Sequence, residues 1–98
     1  MSIRVWSHPD ARLELREAAD FYDLERPGLG SEFLDEVERT IKRIVTHPES
    51  SPVVLGHVRR CLISRFPFSV IYSLRDGAIR VSAFAHTSRR PFYWRERI

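Results

Sequence analysis

Ninety-eight residues supply one domain with one modest core and are too few for two. Hydrophobic residues make up 43% and aromatics 11%, which excludes a disordered chain. The net charge of +3 conceals a division: residues 1–57 hold 7 Lys and Arg against 11 Asp and Glu, whereas residues 58–98 hold 9 arginines against Asp76 and Glu96.

Ile3 and Val5 alternate with Arg4 and Trp6, which predicts a short first strand. His8-Pro9-Asp10 then opens a helix, with Pro early, where its missing N–H costs nothing. Ala11, Leu15, Ala18, Ala19 and Tyr22 give that helix one apolar face, and Arg12, Glu14, Arg16, Glu17, Asp20 and Asp23 cover the rest. Arg26-Pro27-Gly28-Leu29-Gly30 breaks it. A second helix carries Phe33, Val37, Ile41, Ile44 and Val45 at helical spacing, acidic early and basic late as the helix dipole favours, and stops before His47-Pro48.

Residues 49–52 read as loop and Val53-Val54-Leu55 as a short edge strand. From Val58 the period becomes two: Val58–Ser64, Phe68–Leu74 and Ala78–Ala85 each alternate as strands. They are separated by Arg65-Phe66-Pro67 and by Arg75-Asp76-Gly77, a hairpin signal. Pro91 begins a tail with one helical turn. The expected architecture is α+β, β-α-α-β-β-β over residues 1–98 as a single domain: a helical hairpin packed on one face of a twisted antiparallel sheet whose other face is partly open.

The order of these features is more specific than any one of them. Ala11 through Tyr22, Pro27-Gly28-Leu29-Gly30, Phe33, His47-Pro48, Arg65-Phe66-Pro67-Phe68-Ser69-Val70-Ile71-Tyr72, Ile79 to Ala85, and then His86, Arg89, Pro91, Tyr93 and Trp94 together resemble the RelE/ParE toxin superfamily of plasmid-stabilisation proteins across essentially the whole chain. The resemblance implies the toxin component of a type II toxin–antitoxin pair, neutralised by a cognate antitoxin with which it forms a hetero-oligomer. ParE-like members inhibit growth by poisoning DNA gyrase; RelE-like members are endonucleases that cut mRNA on the ribosome.

Metal-independent RNA cleavage needs a base, a cation for the phosphorane charge and an acid. For a RelE-like enzyme the candidates are Arg60, Arg65, His86, Arg89 and Tyr93. By the resemblance, a cationic residue belongs where Ser69 stands, which tilts the expectation to a ParE-like binder acting on gyrase. In that case Arg59, Arg60, Arg80, Arg90, Trp94 and Arg95 are the expected partner-binding residues, because planar guanidinium forks suit acidic protein segments as well as phosphates. His86 reads equally as a strand-end cap, and Tyr93 and Trp94 read as packing for the tail.

The four histidines are widely separated and the four glycines form no phosphate-cradling loop, so neither a metal nor another cofactor is expected. The single cysteine, Cys61, lies in an alternating apolar stretch and reads as a buried structural thiol. With no leader and no membrane-length apolar run, a cytoplasmic setting is expected.

Overall fold

The computed structural model describes residues 3–98. Its elements run β1 (Arg4–Ser7), α1 (Pro9–Glu25), α2 (Leu29–Thr46), β2 (Val53–Leu55), β3 (Val58–Leu62), β4 (Phe68–Arg75) and β5 (Ala78–His86), followed by a 3-10 turn at Arg95–Arg97. The fold is α+β. Five strands form one sheet in the order β1-β5-β4-β3-β2.

Strands β2 to β5 make the expected antiparallel meander, but β1 pairs with β5 in parallel, Arg4 opposite Ala78 and Ser7 opposite Val81. The sheet is therefore mixed rather than antiparallel. Alternation along a strand specifies which face is buried and says nothing of the neighbour or its direction. Asp76 and Gly77 both adopt positive φ, 53° and 74°, in the hairpin between β4 and β5.

The interhelix break is shorter than its sequence suggests. Leu29 and Gly30 already belong to α2, which starts directly after Gly28 at φ 91°. A Cβ at position 30 would collide with the Ala19 carbonyl oxygen, so glycine permits α1 and α2 to close on each other. Asp23 Oδ1 accepts the Gly30 N–H at 2.8 Å and satisfies one free amide at the start of α2. At the start of α1, His8 Nδ1 does the same for the Asp10 N–H.

The helical hairpin places Ala11, Ala18 and Ala19 of α1 and Phe33, Val37 and Ile44 of α2 on Val70, Tyr72, Ile79, Val81 and Phe84. Cys61, half-buried, packs against this core. Pairing between β4 and β5 steps from Tyr72–Val81 to Ile71–Ala83, which leaves Ser82 as an extra residue. Such a bulge reverses which side chains face which way. Beyond it Phe84 joins the helix side, while Ala83 and Ala85 turn to the opposite face.

There they meet Val58, Ile71 and Trp94, which is only 4% exposed. The C-terminal tail thus covers part of the sheet face expected to be open, and burial of the indole contributes about 3 kcal/mol by area.

Candidate functional site

The tail crosses the sheet without filling it. Between them lies a cleft of about 180 Å³, with Ile71, Ala85 and Trp94 as apolar lining, Ser69 of β4 inside, and Arg60, His86, Arg89 and Arg90 around it. Cross-strand pairing sets the position of each group. Arg60 stands opposite Ile71, and Ser69 lies between Leu62 and Ala85. His86 ends β5, where its Nδ1 accepts the Ser88 N–H at 3.0 Å and its ring meets Phe68 edge-on.

Four of the five residues proposed for RNA cleavage, Arg60, His86, Arg89 and Tyr93, therefore converge on one cleft. Arg65 does not. It sits in the turn before β4 at φ 72° and is held by Glu32 at 2.8 Å and Glu36 at 3.5 Å, both on α2. These bonds, first that to Arg65 and then that to Arg26, hold the Glu32 carboxyl below its ordinary range.

Tyr93 is engaged as well. Its hydroxyl donates to Glu14 Oε2 at 2.6 Å, and Arg89 stacks over its ring with Cζ 3.8 Å from the centroid. Burial first, then the neighbouring Glu14 carboxylate, push the phenol well above its usual value. The second oxygen of Glu14 accepts from Arg97 at 2.8 Å and from the Phe84 N–H at 3.2 Å. Strand β1 pairs with β5 only as far as Val81, and Glu14 and Arg97 satisfy Phe84 N–H and Ser82 C=O on the edge beyond it.

The expected partner-binding residues divide by position. Arg59 donates to the Glu49 and Ser51 carbonyls at 3.0 and 2.7 Å, which ties it to the loop before β2. Trp94 is spent on internal packing rather than displayed. Arg60, Arg80, Arg90 and Arg95 are exposed, and among the described residues none has a carboxylate within ion-pair distance. Arg80 instead lies over the Trp6 ring at 4.8 Å, near the β1 edge.

Two groups important here were not among the expected site residues. Glu14 looked like any polar residue of an amphipathic helix, and its partners Tyr93 and Arg97 lie about 80 positions away, beyond any local pattern. Ser69 drew notice only as a missing cation, yet its hydroxyl is buried without a hydrogen-bond partner. Among the described residues no three of His, Cys, Asp or Glu come together as metal ligands, and no helix is long and apolar enough to cross a membrane.

A family model described as the ParE toxin of the type II toxin–antitoxin system parDE matches residues 5–91. The chain belongs to the ParE toxin family. A chain of the solved structure titled "Chromosomal ParDE TA system from P. aeruginosa" superposes with a TM-score of 0.77 at 15% identity, covering 89% of this chain and 98% of that one. A search of curated proteins returned no match. The family assignment makes this chain a type II toxin, and the structural match carries the α+β fold. Tyr93, Trp94 and Arg97, which close the cleft and clasp the tail, lie past the residues matched by the ParE family model.

Proposed function

We propose that this ParE-family toxin inhibits growth by binding DNA gyrase and that a cognate antitoxin neutralises it by covering its arginine-rich sheet face. The observation that carries this reading is the state of Tyr93. A nuclease in this cleft needs a proton donor or acceptor free to reach substrate, and the phenol is committed to Glu14 at 2.6 Å with its ring under Arg89. Ser69 supplies no charge where a RelE-like enzyme would place a cation. The exposed guanidinium groups of Arg60 and Arg90, beside apolar Ile71, Ala85 and Trp94, are suited to holding a partner.

Expression in a bacterium tests it. Filamentation, a DNA-damage response and loss of supercoiling by purified gyrase are the expected results. Arrest of translation with codon-dependent mRNA cuts would replace this reading with the RelE-like one, which the gathering of Arg60, His86 and Arg89 favours. No growth defect removes both.

A further inference from the structure

We infer that the cleft between the tail and β4 is a socket for one acidic side chain of the antitoxin, whose carboxylate completes the hydrogen bonding of Ser69 between Arg60 and Arg90. The inference rests on the toxin–antitoxin reading above and adds to it a defined contact.

Three observations converge. Ser69 is 2% exposed and its Oγ is the only buried side-chain N or O atom without a hydrogen-bond partner among the described residues. A hydroxyl in that state costs free energy until an acceptor or donor arrives. It lines a cleft also lined by Arg60 and Arg90, exposed guanidinium groups with no internal carboxylate, so the incoming group should be an anion. The lining also holds apolar Val54, Ile71, Ala85 and Trp94 beside His86 and Arg89, which suits a carboxylate carried on methylenes.

Size and shape agree. About 180 Å³ is below the roughly 300–1,000 Å³ typical of pockets for cofactor-sized ligands, and it suits a single side chain. Of the tail aromatics, Trp94 is buried and one face of Tyr93 is taken by Arg89, which leaves Phe92 as the one exposed ring and no pair of rings for successive stacked bases.

The test uses the full chain and the protein encoded in the adjoining reading frame as the probe, with affinity measured by calorimetry. Ser69→Ala is the decisive variant because its two effects have opposite signs. Removing an unsatisfied hydroxyl should leave the free toxin with a Tm no lower than wild type, while the complex loses roughly five- to tenfold in affinity. Arg60→Gln should weaken the complex by roughly ten- to hundredfold. Unchanged affinity in both variants overturns the socket while leaving the toxin–antitoxin reading intact. If the wild-type chain does not bind the adjoining protein at all, that reading itself fails. Uridine 3′-monophosphate is the control ligand: if it binds, and Ser69→Ala weakens it but not the antitoxin, the cleft belongs to nucleic acid and the proposal is overturned.

Discussion

Glu14 on the first helix accepts the hydroxyl of Tyr93 at 2.6 Å and so fastens the last eight residues to the beginning of the chain. The same carboxylate holds Arg97 and the edge amide of Phe84, and its side chain is only 14% exposed. Three elements therefore meet at one group.

Glu14→Ala should be among the more damaging single changes. It strands the Arg97 guanidinium and the Tyr93 hydroxyl in a partly buried setting, a loss of about 2–4 kcal/mol. Urea unfolding gives the magnitude. In a Trp6→Phe background, a red shift of Trp94 fluorescence under native conditions would report release of the tail, and an unshifted spectrum would show that packing alone retains it.

Alkaline pH should loosen the same clasp. Tyr93 has a folded-state pKa above the unfolded value of 10.0, so the folded chain favours the neutral phenol. Its contribution is complete below pH 10 and declines as pH rises toward the folded value. The Tyr93→Phe chain should lose less stability across that alkaline interval than wild type. Parallel stability curves for the two would contradict the assignment.

Gly30→Ala sets propensity against packing. An exposed helical position would gain about 1 kcal/mol from this change. Here the added methyl meets the Ala19 carbonyl and the Asp23 side chain, so a net loss of about 1–3 kcal/mol is expected on thermal unfolding.

Arg65 should prove a structural residue. Replacement by Ala removes the charge facing Glu32 and Glu36 and should lower stability modestly, without changing affinity for the antitoxin. The Glu32 carboxyl is held below its normal range, so the stability it contributes is present above the unfolded pKa and lost as pH falls through the folded one. The Arg65→Ala chain should be less sensitive over that acid interval. A large drop in antitoxin affinity would instead place Arg65 at the interface.

Salt should weaken the toxin–antitoxin complex, since Arg60, Arg80, Arg90 and Arg95 remain exposed for a partner. Calorimetry from low to physiological ionic strength reads this directly, and salt-independent affinity would deny a charged interface.

The elements of this fold are legible in sequence wherever local periodicity determines them. Phe33, Val37 and Ile44 mark the buried side of α2, and Asp76-Gly77 marks the last hairpin. What stays hidden depends on distant parts of the chain. Nothing in Arg4–Ser7 announces a parallel partner in β5, and nothing around Ser82 announces the bulge that turns Ala83 and Ala85 toward Trp94. Of the candidate site, Arg60, His86 and Arg89 are recognisable by type and by their place along the strands. Arg59 and Arg65 look identical to them in sequence, and differ only because a loop carbonyl or a helix carboxylate happens to lie within reach.

The parallel placement of β1 beside β5 also constrains synthesis. β1 is made before both helices and its neighbour β5 after the other three strands, so Arg4–Ser7 cannot be incorporated until Ala78–Val81 has left the ribosome. At about 5–20 residues per second the interval lasts several seconds. During it β1 has no strand partner, and the five-stranded sheet is completed only when β5 has emerged.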